Sequence, residues 1–507
     1  MRSASIVRLV AAGFVLLAGR EATAQTPAAQ PPAPPPAAST APAPTAAKRL
    51  TLEEAIQLAT GHSEPIDIAR AGESRAAADQ VRARSQRFPQ VSFDGSYSRT
   101  LASEFSGAFQ PVGPPCAPLD VDPSRPVEER VAELERAASC GAIGPMLDFG
   151  DLPFGQRNIY QGALSFSQTL YAGGRIKAQM LQADLSRQMS ALQTSGTEAQ
   201  VTLTVTQAFY DAALSDRLVA IAESGYEQAA AAYEQTRLAY EAGRQPEFEL
   251  LRAQVARDNE RPAVIRNRAN RDIAYLRLRQ LLELPSDTPL ALDVNLDADT
   301  LATPAPFADG LAVAERTGSS LRRSVVDQAQ QLVNVRDAAV TVARAERMPQ
   351  VAVTSSYARV GYPSNGWFPG VGDFRTNWSL GASVQVPIFD GRKLKADELT
   401  ARADLDEANA QLKQTRELAV LDAATALQDL SAAEAAWQAT AGTVEQAQRA
   451  YQIAELRNRE GLSTQLELND SRLSLEQAQA NRAQAARDLQ VARARAALLP
   501  SLPLSTQ

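Results

Sequence analysis

The chain is written twice. The stretch Arg87–Arg99 returns as Arg347–Arg359, with seven of thirteen positions identical at an offset of 260. Leu170–Arg175 returns as Ile388–Lys393, and Gly243 as Gly461, at an offset of 218. The offsets differ by 42, which places an insertion in the first copy between residues 100 and 158. A chain built from two copies of one unit is held to an architecture with internal symmetry.

Each copy follows the same order of elements. A helical stretch, 51–86 or 310–346, ends before Pro89 or Pro349. Thr51-Leu-Glu-Glu54 opens the first with a capping-box pattern. A strand, a loop and a second strand follow, and then two long helices separated by a glycine-containing break. Val91, Phe93 and Tyr97 alternate with Gln90, Ser92, Asp94, Ser96 and Ser98. Tyr160, Leu164, Phe166 and Leu170 alternate with Gln161, Ser165, Ser167 and Thr169. Val351, Val353 and Tyr357 repeat the pattern, as do Trp378, Leu380, Val384 and Val386. Period-two alternation means one apolar face and one wet face. Such a sheet either packs on a soluble core or turns its apolar face to lipid and its polar face to a lumen. Four strands cannot close a barrel alone, but several chains contributing four each can.

The long helices are predicted at 174–239, 247–283, 392–457 and 465–498. The first and third, each of about 66 residues, would run about 100 Å. Leu405, Leu412, Ala419, Ala423, Ala426, Leu430 and Ala433 form an alanine-rich seam at helical spacing. Helices of this length point to an elongated object rather than a compact domain.

Composition removes most enzyme chemistry. There is one histidine, His62, in a helix break, and only two cysteines, Cys116 and Cys140. Multi-histidine and four-cysteine metal sites are therefore unavailable. The net charge of −7 disfavours nucleic acid. Gly173, Gly174 and Gly391 fit no phosphate-binding pattern and read as bends between strand and helix. No catalytic set, cofactor or metal is expected.

Residues 1–24 have the form of a secretory signal peptide: Arg2 and Arg8, an apolar Leu9–Gly19 stretch, and Ala22-Thr23-Ala24 for cleavage. Residues 25–49 read as a disordered leader; 25–47 hold eight prolines, nine alanines and no charge. No later run of apolar residues is long enough for a membrane helix.

The sequence resembles the TolC-like outer membrane efflux proteins. The resemblance rests on the Leu50–Ile56 opening, the paired Pro-Gln-Val strand starts, the Tyr171–Arg175 and Phe389–Arg392 junctions, and the breaks Tyr240–Leu251 and Asn458–Leu468. It implies an α+β membrane protein: a homotrimeric twelve-stranded β-barrel, four strands per chain, in the outer membrane, continued by a periplasmic α-helical barrel. The implied domains are a first repeat at 50–283 (β-hairpin 88–170, helix hairpin 174–283), a connector at 284–309, a second repeat at 310–499 (β-hairpin 349–389, helix hairpin 392–498) and a tail at 500–507. The implied role is that of a passive exit duct of a tripartite efflux or type I secretion system. Its partners would be a periplasmic adaptor protein, an inner-membrane pump of RND or ABC type, and outer membrane lipid.

The resemblance also implies site residues. Glu467 and Asp470, six and nine positions after the second hairpin glycine, would form the pore constriction and select cations. Gly243, Arg244, Gly461, Leu462, Ser463 and Thr464 would form adaptor-docking tips. In the insertion, Val127, Val131, Leu134 and Ala138 share a helical face, and export makes a Cys116–Cys140 disulfide an expectation. Two rivals use the same sequence. A periplasmic coiled-coil scaffold without a pore would not need apolar strand faces, and a periplasmic enzyme would need a catalytic constellation.

Overall fold

The computed structural model describes residues 48–102, 117–139, 158–298, 300–363 and 367–505. The expected signal peptide, nearly all of the leader, and Cys116 and Cys140 lie outside the described residues.

The chain opens with strand β1 (Lys48–Leu50) and helices α1 (Leu52–His62) and α2 (Glu64–Ser85). The predicted capping box is formed: Thr51 Oγ1 accepts from the Glu54 amide, and Glu54 accepts from the Thr51 amide. Strand β2 (Gln90–Arg99) precedes the insertion, which holds α3 (Val127–Ser139). The insertion helix exists, but its buried residue is Ala137, while Val127, Val131 and Leu134 are exposed. Then follow β3 (Asn158–Ala172), α4 (Arg175–Glu241), α5 (Glu247–Leu281), β4 (Leu290–Leu292), α6 (Ala308–Thr317) and α7 (Ser324–Ala345). The second copy continues with β5 (Gln350–Gly361), β6 (Phe374–Gln385), α8 (Lys393–Thr440), α9 (Thr443–Arg459) and α10 (Gln465–Leu498).

The four long strands make one antiparallel sheet in the order β2-β3-β5-β6. Val91 opposes Phe166, Phe93 opposes Leu164, Tyr97 opposes Tyr160, and Tyr357 opposes Leu164 and Trp378. One face is therefore apolar across all four strands, as the alternation predicted. The alternation slips once. A register shift between Thr169 and Tyr171 leaves Leu170 unpaired, so Tyr171, not Leu170, stands opposite Val351. β2 and β6 are the two edges.

Each sheet-to-helix turn needs two left-handed residues. Gly173 and Gly174 supply them in the first copy, at φ 61° and 91°. A Cβ on Gly173 would lie 2.5 Å from the Met348 Cβ. In the second copy the same places hold Gly391 and Arg392, at φ 65° and 72°. Arg392 adopts a conformation costly for a side-chain-bearing residue. Asp390 compensates by accepting from the amides of Arg392 (3.0 Å) and Leu394 (2.7 Å).

The third long helix differs from expectation. The sequence predicted one helix over 392–457, but it breaks at Ala441-Gly442 into α8 and α9. Gly442 sits at φ 79°, a left-handed residue that ends the α8 ladder. Arg482 donates to the Trp437 carbonyl (2.6 Å) and to Thr440 Oγ1 (3.2 Å), covering the end of α8. The opening helix of the second copy is also split, since Gly318 (φ 54°) separates α6 from α7.

α4 packs on α2, α5, α7 and α10, and α8 packs on α7 and α10. The α8 seam is buried at Leu412, Ala419, Ala423, Ala426 and Leu430. The main core gathers Leu50, Phe209, Leu278, Phe307, Leu489 and Leu502. Two segments at or beyond the margins of the predicted repeats feed it. Lys48–Leu50 leaves the expected leader to pair in parallel with Leu290–Leu292 of the connector. The C-terminal tail is pinned by Arg323, which donates to the Leu502 carbonyl (3.2 Å) and to Asp422 (2.9 Å).

Candidate functional site

The two helix hairpins turn in the same way. In the first, the Gly243 amide donates to the Tyr240 carbonyl (2.8 Å) and the Arg244 amide to Ala239 (2.8 Å). In the second, Gly461 donates to Asn458 (3.0 Å) and Leu462 to Arg457 (2.8 Å). Both are Schellman closures around a glycine at φ 70°, a conformation that glycine adopts freely. Pro246 then stands at the N-cap of α5, and Thr464 at that of α10.

Of the tip residues, Ser463 and Thr464 are committed to the turn. The Ser463 hydroxyl donates to the Ala454 carbonyl (3.4 Å), and its carbonyl accepts from Asn458 (3.2 Å). Thr464 Oγ1 accepts from the Glu467 amide (3.4 Å). Leu462 (70%) and Arg244 are exposed at the two tips.

Glu467 and Asp470 stand one turn apart on α10, both exposed. Arg457 reaches Glu467 at 3.8 Å, and Asp470 has no such neighbour among the described residues. The first copy differs at the matching positions. There Glu249 and Arg252 stand 4.0 Å apart, and Arg252 lies over the Phe248 ring. Each copy thus sets an arginine near its first acid, and the copies differ at the next position, Arg252 in the first and Asp470 in the second.

The second tip is braced from below. Tyr451, Ala454, Leu468 and Leu475 form a small core between α9 and α10. Gln465 donates to Thr236 of α4 across the two hairpins (2.6 Å). Arg472, 3% exposed, pairs with Glu260 of α5 (2.7 Å) and with Glu476. Burial pushes the Glu476 carboxyl above the usual carboxylate range; Arg472 opposes this and Glu260 adds to it. Gly225 of α4 makes the room: a Cβ there would lie 2.2 Å from Glu476 Oε1. This ion cluster was not anticipated from the sequence. Its one local signal is the i,i+4 spacing of Arg472 and Glu476.

A second buried cluster holds the other end of α10. Asp422 accepts from Arg323 (2.9 Å), Arg495 (3.2 Å) and Ser505 (2.7 Å). Burial raises its carboxyl, but the Ser505 hydroxyl and the two guanidinium groups outweigh this and hold it below the ordinary range. Neither a helix long and apolar enough to cross a membrane nor a group of residues able to hold a metal occurs among the described residues.

A sheet apolar on one face, leading into helices of up to 67 residues that turn back at glycine tips, defines the outer membrane channel fold. The comparisons agree. The sequence profile of the family described as outer membrane efflux protein matches residues 133–283 and 320–502, one segment in each copy. The chain belongs to this family of channels, and its place is the outer membrane with the helical part in the periplasm. It is 29% identical to the outer membrane protein OprJ of Pseudomonas aeruginosa over 195 residues, 36% of this chain and 40% of that one. It is 26% identical to the probable efflux pump outer membrane protein TtgC of Pseudomonas putida over 197 residues, 39% of this chain and 38% of that one. The matched stretches span about two fifths of these relatives. The crystal structure of the Campylobacter jejuni CmeC outer membrane channel superposes with a TM-score of 0.68, covering 90% of this chain and 87% of that one at 14% identity, a likeness of fold.

Proposed function

We propose that three copies of this chain close a twelve-stranded barrel in the outer membrane, above a helical tunnel through which substrates pass passively to the outside. The observation that carries this reading is the four-stranded sheet. It is apolar on one face and polar on the other, and β2 and β6 each have one neighbour, so closure needs other copies. Lipid takes the apolar face, and the polar face lines the lumen. The export signal at 1–24 delivers the chain. Leu462 and Arg244, with Gly243, Gly461, Ser463 and Thr464 shaping the tips, meet a periplasmic adaptor bound to an inner-membrane pump of RND or ABC type, for efflux or type I secretion. The name of TtgC as an efflux pump component supports the pump assignment. Glu467 and Asp470, repeated three times around the axis, form a cation-selecting ring at the periplasmic end.

Single-channel recording of the detergent-purified protein in planar bilayers tests the reading. Discrete, cation-preferring openings are expected. A monomer that stays soluble without detergent would overturn it in favour of a periplasmic coiled-coil scaffold.

A further inference from the structure

The sheet carries two arginines where lipid would otherwise be met by apolar side chains. Arg99 ends β2, and Arg359 lies near the end of β5; they are the same residue of the two copies, at the offset of 260. Both stand on the apolar face. Arg99 is two positions beyond Tyr97, and Arg359 two beyond Tyr357, and alternate residues share a face. Both lie at the end of the sheet away from the helices, because β3 and the first long helix meet at the opposite end, at Gly173-Gly174.

The two arginines share a height. Arg359 opposes Gly162, which opposes Gly95, four residues before Arg99. A stagger of four residues over two strands is what tilted barrel strands require. Equivalent residues of the duplicated hairpins therefore stand side by side around the rim. The Cα atoms are roughly 16 Å apart by strand spacing and rise, so each guanidinium serves a separate contact.

An aromatic belt lies directly below. Tyr97 pairs with Tyr160 (ring centroids 4.7 Å) and Tyr357 with Trp378 (6.3 Å). Such rings mark the boundary between hydrocarbon and headgroups. One step above it, Arg99 lies over the Trp367 ring (4.5 Å) and Arg359 over Phe374 (5.4 Å). Both arginines are exposed, and neither is ion-paired to a carboxylate among the described residues. Stacking on a ring fixes the plane of a guanidinium and leaves its N–H edge free for a phosphate.

On the barrel reading given above, we infer that Arg99 and Arg359 form a rim site for the phosphate groups of a lipid headgroup in the outer leaflet, six arginines per trimer. Charge complementarity commits the face to this occupant: an exposed cation with no carboxylate partner among the described residues, at headgroup depth, meets phosphate before any other anion.

The test is native mass spectrometry of the full-length protein in detergent, titrated with diphosphorylated lipid A, with the same lipid dephosphorylated, and with inorganic phosphate as competitor. The wild-type protein should bind the phosphorylated lipid at least tenfold more tightly than the dephosphorylated form. The R99Q/R359Q double variant should lose that preference, and R375Q, whose side chain is on the polar face, should keep it. Equal wild-type binding of both lipids overturns the inference without any variant. So does a preference that survives in R99Q/R359Q or is lost in R375Q. Displacement by equimolar inorganic phosphate would make this a free-phosphate site and overturn the lipid assignment. The same spectra report mass: a monomer that needs no detergent defeats the barrel itself, whereas a detergent-requiring trimer without the preference defeats only the rim site.

Discussion

The two copies share a plan and differ within their helix hairpins. α4 runs unbroken from Arg175 to Glu241, while its counterpart breaks at Ala441-Gly442 and is re-covered by Arg482. The matching residues in the first copy are Ser224, inside a continuous helix, and Val264, which has no cap to provide. Break and cap therefore occur together or not at all. A cavity of about 700 Å³ lies beside the break, lined by Arg217, Asp297, Gly442, Glu445 and Arg482 among others. The tips differ at one position: Glu249 and Glu467 each have an arginine within 4.0 Å, but Arg252 in the first copy is replaced by Asp470 in the second. A duplication keeps the strands and turns that set the frame and lets the helices specialise.

The comparison is broken most severely at Arg472. R472A leaves Glu260 and Glu476 buried without a counter-charge and should cost about 3–5 kcal/mol in thermal or denaturant unfolding. Its counterpart Gln254 lies outside any such cluster, and Q254A should cost under about 0.5 kcal/mol. Next comes the helix break. G442A forces a side chain into the left-handed region and should cost about 1–2 kcal/mol, whereas S224A in the continuous helix should be near neutral. The reverse change sharpens the comparison at the sheet-to-helix turn. R392G copies Gly174 into the second copy and should stabilise by about 1 kcal/mol, raising the melting temperature.

The two buried clusters should answer acid in opposite directions. Glu476 has a raised carboxyl, so the folded state takes up its proton first. Its contribution becomes more favourable as pH falls through its folded pKa towards the unfolded value of about 4.3. Asp422 is depressed, so its contribution is present above about 3.9 and is lost as pH falls through its folded pKa. Melting curves of E476Q and D422N against wild type, from neutral pH downwards, should diverge accordingly. The smallest effect on stability belongs to the tip. E467Q/D470N should leave melting unchanged yet weaken cation preference in bilayer reversal potentials, and E249Q should change neither.

The frame was legible in the sequence because its signals are local. Alternation along Val91, Phe93 and Tyr97 fixes a face, and the glycines at 173, 391, 243 and 461 mark positions of positive φ. The break at Gly442 was hidden because a single glycine in an alanine-rich helix carries no periodic signature. The Leu170 bulge was hidden for a related reason: Leu170 and Tyr171 are both large and apolar, so hydropathy cannot say which leaves the ladder. The Arg472 cluster joins residues 212 positions apart, and the β1–β4 pair is three residues long, too short for any pattern. Glu467 and Asp470 came from family resemblance. The structure adds that Glu467 has an arginine within reach, as Glu249 does, and that Asp470 stands where the first copy has Arg252.

The open edges of β2 and β6 have a thermodynamic consequence. Alternate residues of each edge strand turn their N–H and C=O outwards, so on the barrel reading about half of β2 and of β6 carries backbone groups that another copy would satisfy. The free energy of the folded chain then contains a mass-action term. Dilution below the dissociation constant removes that term, and the melting temperature should climb with the logarithm of protein concentration until association saturates.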